Sequence, residues 1–178
     1  KVDGLYHNMD ENEEMVGLEW PKIHVLDIRR VWEWLNERED VFKEASKDQL
    51  GRAINAFTYL FDTNAVTELM LLWCMVGLEA LYINTNDESK SKQLIKNSES
   101  LIGRSNDSVE RIKKIYNIRS RFFHGQKNFY SKVRAINIDC KFSNDISEAT
   151  EIAVAMLVSS IQKLFLKFHR SQKSLDKI

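Results

Sequence analysis

The scarcity of helix-breaking residues is the feature of this sequence that most constrains its fold. Only one Pro and six Gly are spread over 178 residues. Because Gly and Pro form tight turns and end regular elements, a sandwich or barrel with many turns would need more of them. The 43% apolar and 29% charged residues are typical of a single soluble domain with an ordinary core. The sequence therefore predicts an all-α fold with long helices.

Six segments of the chain carry helical periodicity, with apolar residues three and four positions apart. They are 25–35, 47–61, 65–83, 94–103, 107–123 and 145–169. The first stripe comprises Val25, Ile28, Val31, Trp32 and Leu35, and Trp34 adds aromatic bulk. In the third segment the charged positions are Glu68 and Glu79, so this helix is apolar on nearly every side. We expect a bundle of five to six helices with the third at its centre.

Two regions depart from this helical pattern. Residues 1–20 are acidic and have little periodicity, so we interpret them as an acidic lead-in or the end of a preceding segment, and 21–178 as one domain. Between 133 and 142, apolar Ile136, Ile138, Cys140 and Phe142 alternate with polar residues. Alternation with a period of two predicts a short extended segment there.

Charge and cysteine content limit the classes of partner. The 26 basic and 26 acidic residues cancel, so any contact with nucleic acid must be local. The two cysteines, Cys74 and Cys140, have no partner at metal-ligand spacing, which favours a reducing, cytoplasmic location. Near Leu71 the charge-free stretch runs only from Leu69 to Leu78, short of the roughly 20 residues of a membrane span. We expect no membrane partner.

The helix over 107–123 carries an arginine on its apolar face. Advancing about 100° per residue brings Arg119 between the apolar side chains of that face, which are Ile112, Ile115, Phe122 and Phe123. Burying an unpaired guanidinium costs several kcal/mol, because arginine cannot release its proton. Arg119 must therefore pair with an internal anion, for which Glu79 is the candidate, or line a cleft.

A polar edge adjoins this arginine. On the same wheel an arc of polar residues leads away from Arg119: Tyr116, Ser120 and His124. Because Gly125 ends the helix just after His124, the imidazole and the long arginine stem can reach one phosphate. A histidine that moves a proton at the RNA 2′-hydroxyl, with an arginine that stabilises phosphate charge, requires neither metal nor cofactor. The opposing interpretation is that His124 only bonds the last helical carbonyls.

These residues resemble a known family. The string 116–125, Tyr-Asn-Ile-Arg-Ser-Arg-Phe-Phe-His-Gly, follows a buried helix with Gly-Leu-Glu-Ala-Leu at 77–81. This pattern resembles the Apea-like branch of the HEPN superfamily over residues 47–168. The resemblance implies an antiparallel all-α bundle that forms a homodimer, with both Arg-x4-His helices facing one cleft. Catalytic relatives cut RNA there without metal, in toxin–antitoxin pairs and antiviral defence.

The resemblance also implies residue roles. Arg119 and His124 are the catalytic pair and Ser120 assists, although active relatives commonly have Asn, Asp or His after the arginine. We assign supporting roles to Tyr116, Glu79 and Asn117, and contacts with RNA phosphates to Arg121, Lys114 and Lys127.

Three functions follow from these assignments. The first is an endoribonuclease that leaves a 2′,3′-cyclic phosphate. The second is a non-catalytic module for dimerisation, or for RNA or nucleotide binding, within a larger protein or complex. The third is an antitoxin-like partner, which an exposed apolar patch with Trp32 and Trp34 would favour.

Overall fold

The computed structural model describes residues 20–38, 45–61, 67–84, 88–126 and 140–175, and within these ranges the chain is helical without a β-strand. The described residues form six α-helices: α1 (Ile28–Glu37), α2 (Gln49–Thr58), α3 (Thr67–Tyr82), α4 (Lys90–Ile102), α5 (Ser108–Phe123) and α6 (Cys140–Leu175). A 3₁₀ turn, Tyr59–Phe61, extends α2. The predicted all-α fold is confirmed. The acidic lead-in before Trp20 lies outside the described residues.

Helix α3 is the centre of the bundle, as its composition predicts. It packs most extensively against α2 and α6 and also contacts α4 and α5. Leu71, Cys74 and Leu78 are completely buried. A glycine permits the closest approach: a Cβ on Gly77 would lie 2.9 Å from Leu157 Cδ1, in α6. The main core takes residues from all of α2 to α6, so these helices surround one apolar interior.

Helix α6 is longer than predicted. It has 36 residues and begins at Cys140, whereas the sequence predicts a helix from Asp145 and an extended segment near 133–142. Residues 127–139 lie outside the described part of the chain, but 140–142 are helical, so the prediction is wrong for these three. Alternation over so few residues does not distinguish an extended segment from the first turn of a helix.

One stretch of α6 bears on the expectation of no membrane partner. In the described part of the chain, Asn144–Arg170 is long and apolar enough to cross a membrane by length and composition. However, 56% of its most apolar window is buried against the rest of the bundle. Ala149, Ala153 and Met156 lie on this buried side. The core helix of a soluble protein has the same properties.

The buried face of α1 agrees only in part with the predicted stripe, because Val31 and Leu35 pack against the core cluster around Trp34 whereas Ile28 and Trp32 do not. Trp34 is 3% exposed and packs edge-to-face on Phe165 at 5.3 Å, whereas Trp32 is 57% exposed and Ile28 is 77% exposed. Helix α1 begins only at Ile28, where the Asp27 carboxylate accepts the Arg29 backbone N–H at 2.8 Å. The buried side is therefore centred on Trp34, and the exposed patch of Trp32 and Trp34 that would favour an antitoxin-like partner does not form.

An extended segment before α1 lies on the bundle. Trp20 Nε1 donates to the Gly103 carbonyl at 3.0 Å. The Gln162 side chain both accepts the His24 backbone N–H and donates to the His24 carbonyl, each at 2.8 Å. His24 and His169 are half-buried. These contacts attach the beginning of the described chain to α4 and α6.

Candidate functional site

The site is built on the carboxyl end of α5, which closes in a Schellman motif. His124 is the last residue before the turn, and Gly125 has a φ of +64°. The Gly125 N–H donates to the Phe122 carbonyl at 3.1 Å, and the Gln126 N–H donates to the Arg121 carbonyl at 2.9 Å. This is the hydrogen-bond pattern that ends helices at a left-handed glycine. The helix end predicted at Gly125 is confirmed, and His124 is exposed there.

Arg119 forms the ion pair that its place on the apolar face predicts. Its Nη2 lies 2.8 Å from Glu79 Oε1 on α3, and the two side chains are only 19% and 20% exposed. Within the described part of the chain, the buried Arg119 Nε has no hydrogen-bond partner. The guanidinium is therefore held on one side by a carboxylate and keeps an N–H group that no described side chain accepts.

Two aromatic rings complete the surroundings of this cation. The Arg119 Cζ lies 4.3 Å from the centre of the Phe123 ring and 5.9 Å from that of Tyr116. Both distances are within the range of cation–π attraction, so the rings and Glu79 together fix the guanidinium. Phe123 is 55% exposed although the helical wheel puts it on the apolar face, because it is the last residue of α5.

Phe123 is the site residue that our sequence reasoning missed. It lies four positions after Arg119, a spacing at which helical side chains meet. That spacing is the sequence signal for the contact, whereas the apolar stripe by itself does not distinguish Phe123 from its other members.

The other assigned residues have unequal positions around the cation. Tyr116 and Ser120 are half-buried, whereas Asn117 and Arg121 are exposed. The structure thus brings Glu79, Tyr116 and Phe123 around Arg119. Ser120 follows Arg119 on the last turns of α5, and His124 stands at the exposed end of the same helix.

Three basic side chains on or next to α5 are paired with carboxylates. Lys114 Nζ lies 3.0 Å from Asp145 Oδ1 and 2.7 Å from Glu148 Oε2, and both acids raise its pKa. Two arginines are paired as well, Arg111 with Asp107 at 2.6 Å and Arg104 with Glu99 at 3.4 Å.

The remaining assigned cations are Arg121 and Lys127. Arg121 is exposed, and Lys127 lies outside the described residues. Of the two assigned phosphate contacts that the structure describes, Lys114 is paired and Arg121 lies on an open surface.

The start of α5 lacks a side-chain cap from Asp107, the residue that precedes it. The Asp107 carboxylate accepts from Ser105 Oγ at 2.8 Å and from Arg111 Nε at 2.6 Å instead of capping the helix. These hydrogen bonds and the nearby Arg111 hold the pKa of Asp107 below its ordinary value. This end of the helix is thus separate from the arginine site at the other end.

Among the described residues, no group of three or more His, Cys, Asp or Glu side chains is placed to hold a metal ion.

Comparison of this chain with family models, curated proteins and solved structures returned no match. The resemblance to HEPN domains therefore rests on the sequence pattern alone.

Proposed function

We propose that this chain is a metal-independent endoribonuclease of the HEPN type, which acts as a cytoplasmic homodimer. The observation that carries the proposal is a half-buried arginine, fixed by Glu79 and Phe123, five residues before an exposed helix-terminal histidine. A fixed guanidinium suits the stabilisation of charge on a phosphate. An exposed imidazole can exchange protons with an RNA strand.

The chemistry needs only these groups and the RNA. The 2′-hydroxyl loses its proton to a base and its oxygen bonds to phosphorus, while the bond from phosphorus to the 5′-oxygen breaks. A proton delivered to that oxygen completes the step, and the product is a 2′,3′-cyclic phosphate. In a dimer the two copies of His124 supply both the base and the acid, while Arg119 stabilises the phosphate. Ser120 assists from the next position.

An exposed stripe on α3 supports a second copy of the chain as the partner. Leu69, half-buried Trp73 and Val76 follow each other at helical spacing, and Leu69 and Val76 are 40% and 45% exposed. Tyr59, 47% exposed, stacks on the Trp73 ring at 4.2 Å. Glu79 comes one turn after Val76, so two molecules joined along this stripe would each place an arginine site at the edge of the interface.

The decisive experiment is RNA cleavage in EDTA. The purified protein should cut single-stranded RNA to fragments with 2′,3′-cyclic phosphate ends, which mass spectrometry identifies. His124→Ala should abolish cleavage. The matched control is Gln126→Ala, an exposed residue on the same turn, which should leave the rate unchanged. Cleavage that EDTA abolishes, or that survives in His124→Ala, would refute the proposal.

The ion pair between Arg119 and Glu79 also favours a second candidate function. Because the ion pair joins α5 to α3, a purely structural role explains the position of Arg119 as well as a catalytic role does. The chain is then a non-catalytic module that dimerises or binds RNA or nucleotide for a larger protein. This alternative predicts no turnover of RNA, and Arg119→Ala should chiefly lower stability. Loss of RNA cleavage in Arg119→Ala without loss of folding would contradict it.

The resemblance to HEPN domains also leads to a proposed biological setting, which is a toxin–antitoxin pair or an antiviral defence system. In that setting the further partner of the chain is an antitoxin or a larger defence complex. Co-expression with the product of a neighbouring gene tests this setting: a toxic nuclease should arrest growth alone and be tolerated with its antitoxin. The antitoxin-like interpretation of the chain itself is weakened, because Trp34 is only 3% exposed.

A further inference from the structure

Phe123 has two properties that do not occur together in an ordinary surface phenylalanine. It is 55% exposed, and its ring centre lies 4.3 Å from the Arg119 guanidinium carbon. Exposed apolar residues are common when they stand alone. Here the ring adjoins the one cation that the proposed function places at the phosphate, and it directly precedes His124.

The arrangement around Phe123 favours a flat, aromatic ligand. Arg119 is fixed to Glu79 and so holds a planar cation against part of the ring, while more than half of the side chain remains open to solvent. Bases of single-stranded nucleic acids stack on such aromatic side chains whatever their sequence, and the neighbouring arginine contacts the backbone. A base inside a duplex is already stacked and paired, and it cannot reach the ring without leaving its helix.

We propose that Phe123 is a stacking platform for an unpaired nucleobase beside the phosphate held at Arg119. The site thus selects single-stranded RNA over duplex RNA. This inference rests on the proposed function for its location. The ring binds the base and orients the strand, so Phe123 is a positioning residue, whereas Arg119 and His124 act on the phosphate.

The test measures binding separately from cleavage. The probe is a fluorescent single strand of about 12 nucleotides, a length suited to sites of this kind. It carries 2′-O-methyl groups, which remove the hydroxyl that the reaction needs. A second probe has abasic central positions, and a third is the duplex. Wild-type protein, Phe123→Ala and Phe123→Tyr are titrated into each, and their thermal unfolding is compared.

If a base stacks on Phe123, the affinities of the three proteins for the three RNA probes should follow a specific pattern. Phe123→Ala should weaken binding of the intact single strand on the order of tenfold. Phe123→Tyr should retain the affinity because it keeps an aromatic face. The abasic strand should bind wild-type protein as weakly as the intact strand binds Phe123→Ala, and Phe123→Ala should not distinguish the two strands. The affinity for the duplex should be the same in all three proteins.

Several results would overturn the inference. The first is an equal loss of affinity for the intact and the abasic strand in Phe123→Ala, which would indicate that the substitution acts through Arg119 on the RNA backbone. The second is the absence of single-strand binding by the wild-type protein. Dissociation of a dimer by Phe123→Ala, measured by light scattering, would assign the ring to the subunit interface instead. Failure of the nuclease proposal gives a different result: unmodified RNA binds to the protein but stays intact in EDTA.

Discussion

Arg119 on α5 and Glu79 on α3 form an ion pair, with Arg119 Nη2 lying 2.8 Å from Glu79 Oε1. Each side chain is about one-fifth exposed, at 19% and 20%. A pair this enclosed is screened less than one on the surface, but water still reaches it. The contact therefore fixes the central helix against the helix of the candidate site, and it also determines where the guanidinium stands. Its role in stability and its role in function can be measured separately.

Breaking this pair from either side should cost stability. Glu79→Gln and Arg119→Met should each lower the free energy of unfolding by about 1–2 kcal/mol, between the values typical of exposed and fully buried pairs. Urea denaturation measures the effect. The double variant should be less destabilised than the sum of the two single variants, because the second change removes a charge that has already lost its partner.

The matched control for this prediction is on the same helix. Arg111→Met breaks the pair with Asp107 at the start of α5, where the side chains are 35% and 47% exposed, and should cost less. Strictly additive effects of Glu79→Gln and Arg119→Met would mean that the two side chains do not stabilise each other. In the activity assay, Glu79→Gln should slow RNA cleavage less than Arg119→Met, since Glu79 only positions the cation.

The backbone at Gly125 gives a second prediction, for the end of α5. Its φ of +64° is left-handed, and a Cβ added there would meet nothing within 4 Å. Gly125→Ala should therefore cost about 1 kcal/mol through backbone strain alone, and Gly125→Asn should cost less because asparagine tolerates this conformation. Urea denaturation ranks the variants. If His124 depends on the turn, cleavage should fall in the same order; equal activity of all three proteins would contradict that dependence.

Much of the fold could be predicted because it depends on local pattern. The central position of α3 follows from its composition, and the ends of α4 and α5 follow from Gly103 and Gly125. The buried face of α1 could be predicted only in part: Val31 and Leu35 pack inward as the stripe requires, but periodicity does not decide between the equally apolar Trp32 and Trp34. Only the place where α1 begins, and the position of Phe165 across the bundle, determine which tryptophan is buried.

The candidate site was predictable to the same extent. A cation on an apolar face requires an anion, and the scarcity of charge in α3 made Glu79 the candidate that the structure confirms. The pairing of Lys114 with Asp145 and Glu148 depends on packing between α5 and α6, which are far apart in sequence. The exposure of Phe123 likewise depends on what covers the end of a helix, and helical periodicity carries no information on that.

The exposed stripe on α3 leads to a third prediction, on oligomeric state. A charge in an apolar subunit interface is costly because it loses its water, so Val76→Glu should convert a dimer to a monomer. Light scattering after size-exclusion chromatography measures the mass. Ile28→Glu is the control, because Ile28 is 77% exposed on α1. A wild-type monomer, or a dimer that survives Val76→Glu, would exclude this stripe as the interface.

Close packing at Gly77 gives a fourth prediction. An added methyl group would lie 2.9 Å and 3.1 Å from the two terminal carbons of Leu157, which is completely buried. Gly77→Ala gains about 1 kcal/mol of helix propensity but overpacks the core by about 1–3 kcal/mol, so its net effect should be a loss below about 2 kcal/mol. Gly77→Val should be worse. Leu157→Ala should rescue part of the loss in Gly77→Val, measured by urea denaturation; the absence of rescue would contradict the steric explanation.

The pairing of Asp48 with Arg38 predicts how stability changes in acid. The Asp48 carboxylate accepts the Gly51 backbone N–H at 2.6 Å as the cap of α2, and it lies 2.6 Å from Arg38 Nη2. Partial burial alone would raise the pKa of Asp48. The Gly51 hydrogen bond, together with Arg38 and Arg52, outweighs burial and holds the pKa below its ordinary value of 3.8.

The direction of the pH effect follows from that lowered pKa. The unfolded chain takes up the proton near pH 3.8 and the folded chain only at lower pH, so the stabilisation is complete above 3.8 and disappears as the pH falls through the folded value. Asp48→Asn keeps a capping oxygen but loses the charge, so it should cost less than about 1 kcal/mol at pH 7. In urea denaturation from pH 7 to pH 3, the difference in stability between this variant and the wild type should narrow as the pH falls below 3.8. A difference that stays constant across that range would mean that the Asp48 charge does not contribute.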